Sequence, residues 1–301
     1  MAHRNRPSAG RSRPASTRST APAVTPALRE WIIAQAQANV AAPALLQSMQ
    51  DAGWAEDVAM EALESTLREH LSGVAEQQGL PPVVPVPEPT LQTSPARINV
   101  GDRQVDVLVS LALPRLVVFA NLLSAEECEA LIDAARPRMA RSLTVATRTG
   151  GEEVNGDRTS RGMFFPRGDT AVVRTLEARI AKLVHWPVEN GEGLQVLHYP
   201  PGAEYKPHYD YFDPTEPGTP TLLRRGGQRV ATLLVYLNTP TEGGGTTFPH
   251  AHMEVAAQRG NAVFFSYERP HPDTRTLHGG APVLSGEKWI ATKWLREREF
   301  N

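Results

Sequence analysis

Two histidines and one aspartate, His208, Asp210 and His278, are the residues whose types and spacing could do chemistry together. In an extended strand, residues two apart point to the same face. His208 and Asp210 are therefore expected to project side by side from one strand. A histidine brought from elsewhere completes a set of two imidazoles and one carboxylate. Bound on one face of a metal, such a set leaves positions open and suits non-haem Fe(II) oxygen chemistry. The same donors also suit a hydrolytic zinc ion. A blander alternative is that His-x-Asp pairs are common and serve as ordinary hydrogen-bonding groups.

Lys288 sharpens the choice. It follows His278 in the run Lys288-Trp-Ile-Ala-Thr-Lys-Trp-Leu295, which reads as a strand. Alternation puts Lys288, Ile290, Thr292 and Trp294 on one side of it. A lysine among apolar neighbours needs a partner to offset its desolvation. A dicarboxylate that chelates the metal with one end supplies that partner with its other end. A zinc hydrolase has no evident use for the lysine. Lys293, on the opposite side, is expected to be an exposed edge residue. His250-Ala-His252 reads as a polar turn, and His198, facing away from Tyr199, is given no role.

The elements that must position these residues lie in the C-terminal two thirds of the chain. Expected strands are 193–199, 207–212, 229–238, 261–267, 274–278 and 288–295, rich in Val, Leu, Tyr and Phe and separated by Gly/Pro turns. Close spacing of short strands indicates a sandwich or barrel. Ser124-Ala-Glu-Glu127 reads as a capping box opening a helix through Ala135, and a second helix is expected over 172–185.

At this point the residues resemble a known family. His208-Tyr-Asp210, His278-Gly-Gly280 and Lys288 through Trp294 are similar to the 2-oxoglutarate/Fe(II) dioxygenases of the prolyl 4-hydroxylase family. The resemblance runs from about Val117 to Leu295. It includes Asp157-Arg-Thr-Ser160, Gly162-Met-Phe164, Leu194 through Tyr205, Gln228-Arg-Val-Ala-Thr232 with Tyr236, and Glu242 through Pro249.

The resemblance implies a double-stranded β-helix (jelly-roll) core with flanking helices, an α+β fold. It implies that His208, Asp210 and His278 hold Fe(II). Lys288, with the hydroxyls of Tyr199 and Thr246, would pair with the far carboxylate of 2-oxoglutarate. Arg158, Ser160, Tyr205, Arg229 and Trp294 would line a groove for a peptide or protein containing proline. The implied reaction hydroxylates prolyl residues, at C4 by analogy, while 2-oxoglutarate and O2 become succinate and CO2. L-ascorbate would rescue iron oxidised in uncoupled turnover. Two alternatives stand beside this reading. One is the same chemistry on a free amino acid, another side chain or a small metabolite; the other is an interaction protein whose dioxygenase domain is inactive.

Towards the N-terminus the texture differs. Residues 1–26 hold five arginines, four prolines and no acid, and read as a disordered basic tail. Residues 27–73 read as a small three-helix module, with Met60, Leu63, Leu67 and Leu71 on one face and Gly73 as a C-cap. That module resembles the ubiquitin-associated type and would dock a protein partner. Six prolines within 81–95 mark 74–98 as a semi-rigid linker, leaving 99–301 as the dioxygenase domain.

The 301 residues carry 31 Lys and Arg against 33 Asp and Glu, a net charge of −2. Without the five arginines of the tail, 26 basic residues face 33 acidic ones. Such a balance argues against nucleic acid as a partner. The chain shows no apolar run of the roughly 18 residues that a membrane span needs, so no membrane role is expected. A single cysteine, Cys128, excludes an internal disulfide and fits a reducing, cytoplasmic setting.

Overall fold

The computed structural model describes residues 24–141, 144–145, 152–153 and 159–301. They divide into two compact units at Gln78/Gly79. In the first, α1 (Pro26–Gln37), α2 (Ala42–Asp51) and α3 (Glu56–Gln77) close around Ile32, Leu45, Met49, Ala59, Ala62 and Leu63. Thr25 caps α1 through the Leu28 N–H, and Pro26 occupies the first helical position, where its missing N–H costs nothing. The turn between α2 and α3 needs Gly53 at φ 92°.

Two expectations fail in α3. Its buried stripe is Ala59, Ala62, Leu63 and Thr66, while Met60 and Leu71 are 45% and 56% exposed. Small alanines let α3 approach the other two helices closely, and the larger side chains are left outside. Gly73 ends nothing; the helix continues to Gln77, because glycine is tolerated within a helix at about 1 kcal/mol relative to alanine.

The segment expected to be a linker belongs to the second unit. The Val84 N–H donates to the Glu268 carbonyl at 2.8 Å and the Glu88 N–H to the Val184 carbonyl at 3.1 Å. Pro87 and Pro89 are buried and Leu91 packs on the core. Proline has no N–H to donate, so the interspersed Val84 and Glu88 supply the bonds that tie this extended strap down.

In the second unit, β1 (Arg97–Asn99), β2 (Gln104–Leu111) and β3 (Arg115–Ala120) precede α4 (Ala125–Ala135). Short strands β4 (Ala140–Arg141), β5 (Thr144–Val145) and β6 (Glu152–Glu153) lead to β7 (Arg161–Phe165) and α5 (Ala171–Leu183). Then come β8 (Leu194–Tyr199), β9 (Tyr205–His208), α6 (Thr219–Leu223), β10 (Arg229–Tyr236) and β11 (Glu242–Gly243). The chain ends with β12 (Thr246–Phe248), β13 (Met253–Val255), β14 (Ala262–Ser266), β15 (His278–Gly280), β16 (Val283–Ser285) and β17 (Lys288–Arg296).

A nine-stranded antiparallel sheet has the order β1-β2-β3-β14-β10-β17-β8-β7-β4, and a four-stranded sheet the order β13-β12-β15-β9. One face of the large sheet packs Val196, Leu233, Phe264 and Ala291 against Leu131, Leu176 and Ile180 of α4 and α5. Its other face packs Leu197, Leu234, Phe265 and Ile290 against Phe248 and Val255 of the small sheet. This is the expected double-stranded β-helix, with β10 and β17 at its centre and buried along their whole lengths.

Both predicted helices form with their caps. Ser124 Oγ accepts the Glu127 N–H and Glu127 accepts the Ser124 N–H, the reciprocal box expected at α4. Thr170 caps α5. Lys293, expected at an exposed edge, is 2% exposed and bonds Glu177 of α5 and the Glu192 carbonyl. The reason is topological: β17 is interior to the sheet, so its outward face is covered by α5. Among the described residues no helix is long and apolar enough to cross a membrane.

Candidate active site

β9 and β15 bring the two histidines together as cross-strand partners, His208 opposite His278. Their ring centroids lie 4.4 Å apart. Asp210 is not on β9, contrary to the strand expected over 207–212. β15 starts at His278, so β9 has no partner past His208, and the chain bends there. The bend still turns the carboxylate inward, with Oδ1 3.6 Å from His208 Nε2 and Oδ2 3.5 Å from His278 Nε2. The strand expected over 274–278 likewise begins only at His278, because Arg275 adopts φ 54° after a turn at Pro272–Thr274.

The donor set fits a metal. His208 Nδ1 lies 2.9 Å from the Lys206 carbonyl and His278 Nδ1 3.0 Å from the Thr276 carbonyl. A carbonyl only accepts, so both Nδ1 atoms carry the proton and both Nε2 lone pairs face the carboxylate. One ligand atom from each of the three residues lies within 4.8 Å of the others. Burial alone would raise the Asp210 carboxyl, yet His278, His208 and Arg229 hold it well below the usual carboxylate range. Burial pushes the His278 imidazole down to about 4, which keeps it neutral for coordination.

From this triad a cleft of about 430 Å³, counted out to solvent, runs along the inner face of the large sheet. Its walls include Tyr199, Thr246, Lys288, Leu197, Leu234 and Ile290. Lys288 pairs across strands with Tyr199, and its ammonium lies 5.4 Å and 5.8 Å from the Tyr199 and Tyr236 ring centroids. It is 2% exposed, and no carboxylate among the described residues lies within 4.0 Å of it. Burial pushes it down to about 8, opposed by Glu254. Tyr236 donates its hydroxyl to Thr246 Oγ1 at 2.7 Å. A buried cation with two aromatic faces and a hydroxyl nearby suits a bound carboxylate.

Comparison with known proteins gives this geometry a family. Residues 194–296 match the 2OG-Fe(II) oxygenase superfamily. The chain is 42% identical over 221 residues to prolyl 4-hydroxylase 5 of Arabidopsis thaliana, covering 66% of this chain and 74% of that one. It is 43% identical over 202 residues to prolyl 4-hydroxylase 1 of the same plant, covering 62% and 70%. The chain belongs to the prolyl 4-hydroxylase family. A crystal structure of the viral collagen prolyl hydroxylase from Paramecium Bursaria Chlorella virus-1, in complex with 2OG, aligns with TM-score 0.47 and 30% identity over 60% of this chain and 95% of that one. As a 2-oxoglutarate-dependent dioxygenase of the prolyl 4-hydroxylase family, the protein uses Fe(II), 2-oxoglutarate and O2.

Of the residues expected in the peptide groove of this prolyl 4-hydroxylase relative, Tyr205 and Trp294 line the cleft. Tyr205 stacks on His208 with centroids 3.8 Å apart. Ser160 is buried near the start of β7. Arg158 lies outside the described residues. Arg229 is not on the groove: it is buried behind Trp294, 3.9 Å from that ring centroid, and bonds Glu192 through two nitrogens.

Sequence reasoning missed the support around the ligands. Thr232 donates to Asp210 Oδ2 at 2.7 Å, fixing the carboxylate from behind. Thr232, Leu234 and Tyr236 alternate on β10, and that period of two was the available signal. Gln228 holds both backbone groups of Phe212, two residues past Asp210, which closes the base of the loop that follows.

Proposed function

We propose that this dioxygenase hydroxylates prolyl residues, at C4, in a peptide or protein. The observation that carries the reading is the alignment of His208, Asp210 and His278 with the buried ammonium of Lys288 along one cleft. The names of its relatives, prolyl 4-hydroxylases, support proline as the target. Fe(II) bound there supplies, with 2-oxoglutarate and O2, the oxidising power that turns an unactivated C–H into C–OH while succinate and CO2 form.

In this reading the chain's own residues orient and exclude. Lys288 neutralises the far carboxylate of 2-oxoglutarate, and Tyr199 and Thr246 present hydroxyls to it. Leu197, Leu234 and Ile290 keep water from the middle of the cleft. Trp294 and Tyr205 offer aromatic walls to the pyrrolidine ring and to the peptide that carries it. Ser160 and Arg158 take polar contacts to the same peptide, a role that rests on the family resemblance of Asp157-Arg-Thr-Ser160. Thr232 holds Asp210 so that one oxygen stays turned to the metal.

The first unit, three short helices like a ubiquitin-associated module, docks a protein partner or substrate. Nucleic acid and membrane have no part in this reading, and the single, fully buried Cys128 supports a cytoplasmic setting.

The test mixes purified protein anaerobically with Fe(II) and 2-oxoglutarate and looks for a visible metal-to-ligand charge-transfer band. The band should vanish in His278→Ala and need more 2-oxoglutarate in Lys288→Ala. Proline-containing peptides then gain one oxygen atom. No band in folded, metal-loaded protein rejects the reading. Added oxygen only on free amino acids would move the substrate class without touching the chemistry.

A further inference from the structure

The strap at residues 80–91 carries a periodicity that its hydrogen bonds do not require. Pro82, Pro85 and Glu88 are exposed, Pro87 and Pro89 are buried, and Val83, Val84 and Val86 are half-buried. The segment forms neither helix nor strand. Exposure at every third residue is the period of a polyproline II helix, which has three residues per turn. The strap therefore turns a ridge outward whose first two members are proline rings about 9 Å apart. Between the Gln78 N–H, which bonds back into α3, and the Val84 N–H, the backbone makes no bond to other backbone. The ties at Val84 and Glu88 use no atom of either exposed ring. Other exposed prolines are engaged differently: Pro26 and Pro43 start α1 and α2, and Pro214 and Pro217 sit in turns.

The cleft offers a surface that suits such a ridge. Tyr205 and Trp294 line it. Phe164, on β7, stands opposite the cleft-lining Gln195, and its ring lies 6.4 Å from that of Trp294. Phe164 is 46% exposed, so the aromatic wall runs on beyond Trp294 to a ring that still faces solvent. Aromatic-lined grooves are a recurring receptor for polyproline II segments, which arrive already ordered. No strap residue lines the cleft of its own chain, and the bonds to Glu268 and Val184 hold the strap where it is. The cleft that meets the ridge is therefore that of a second copy.

We propose that Pro82 and Pro85 are themselves substrates, hydroxylated by the cleft of another copy of this chain. The proposal rests on the prolyl hydroxylase reading above. At each ring one C–H bond breaks and one C–OH bond forms. One atom of O2 enters the hydroxyl and the other enters succinate, while 2-oxoglutarate loses CO2. Nothing beyond 2-oxoglutarate and O2 is consumed. Pro82 reacts first, because it lies in the stretch without backbone bonds. Pro85 follows when the Val84–Glu268 bond opens.

The experiment mixes wild type with full-length His278→Ala whose nitrogen is isotopically heavy, so that the two straps differ in mass. Fe(II), 2-oxoglutarate and isotopically heavy dioxygen are supplied, and a synthetic proline-containing peptide is run in parallel. Trypsin releases the strap whole within residues 69–97. The nitrogen-labelled strap should gain one heavy oxygen at Pro82 and later a second at Pro85, at a rate that rises with the wild-type concentration. Lys288→Met serves as a second inactive copy should His278→Ala not fold. Pro82→Ala in an active copy should lose the first modification and turn over the peptide at the wild-type rate. Oxygen on the buried Pro87 or Pro89, oxygen only at prolines outside the strap, oxygen confined to the wild-type chain, or an unmodified strap beside a hydroxylated peptide would each overturn the proposal. Strap and peptide both unmodified would reject the prolyl hydroxylase reading, and the proposal with it.

Discussion

Arg229 and Glu192 form a two-pronged buried ion pair directly behind Trp294, Nε to Oε1 at 2.7 Å and Nη2 to Oε2 at 2.9 Å. A third nitrogen of Arg229 reaches the Asp210 carbonyl at 3.3 Å. The pair therefore braces both an aromatic wall of the cleft and the backbone of a metal ligand.

Removing one member leaves the other charge buried and poorly matched, which typically costs about 3–5 kcal/mol. Arg229→Ala should therefore lower the melting temperature and weaken metal binding together. Arg229→Lys keeps a charge but not the fork, and should recover only part of either. A variant with wild-type melting that merely raises the peptide KM would place the arginine on the groove after all.

Asn238 straddles Lys288. Its side-chain oxygen accepts the Trp289 N–H at 2.6 Å and its nitrogen donates to the Glu287 carbonyl at 2.8 Å. Asn238→Leu frees the strand start that aims the ammonium. The expected result is weaker 2-oxoglutarate binding by about tenfold, one to two hydrogen bonds' worth, with metal affinity unchanged. Asn238→Asp retains the acceptor and should fall between. Calorimetric titration of the Mn(II)-loaded protein checks both.

The burial of Lys288 gives two linked expectations for pH. Its ammonium is pushed down to about 8 from an ordinary 10.5. Only the protonated form pairs with a carboxylate, so affinity for 2-oxoglutarate should hold below pH 8 and fall by up to about tenfold per unit above it. In the ligand-free protein, the unfolded chain holds more protons than the folded one between pH 8 and 10.5. Stability therefore rises with pH across that window, and below pH 8 the buried charge is a full liability. Lys288→Met should raise the melting temperature at pH 7 while abolishing 2-oxoglutarate binding. A lower melting temperature in that variant would contradict the account.

Gly279 sets the spacing of the two histidine strands. A Cβ there would lie 2.9 Å from the Tyr205 carbonyl oxygen and 3.1 Å from the Pro207 nitrogen, both in β9. Backbone cannot swing aside as a side chain can. Gly279→Ala should separate β9 from β15, at about 1–3 kcal/mol for overpacking, and widen the gap between His208 and His278. Weaker metal binding with near-normal 2-oxoglutarate contacts at Lys288 is the expected signature, read by metal titration and by the charge-transfer band.

The sequence singled out His208, Asp210, His278 and Lys288, and the structure brings the first three together at one end of a cleft whose wall holds the buried Lys288. A histidine beside a half-turned aspartate and a lysine inside an apolar strand both demand explanation. The bend at Asp210 was not legible, because it depends on where β15 begins, at His278, sixty-eight residues later in the chain. Arg229 was misplaced for a similar reason. An arginine at the start of a strand looks alike whether it meets a peptide or Glu192, and only the fold brings that glutamate to it. Lys293 misled because alternation names two faces without saying that both are covered. The helices, whose caps are local, came out closest to expectation.

The strap at residues 80–91 bears on where the catalytic unit can be cut. Proline density alone invites a boundary just before Asn99. A chain started there would lose the donors that Val84 and Glu88 give to Glu268 and Val184, and would open the surface under Pro87, Pro89 and Leu91. Started at Gly79, it keeps all of these. The twenty residues between the two starts act as a stitched hem on the sheet, and a truncation that trims them should yield an aggregating fragment where the longer one yields an enzyme.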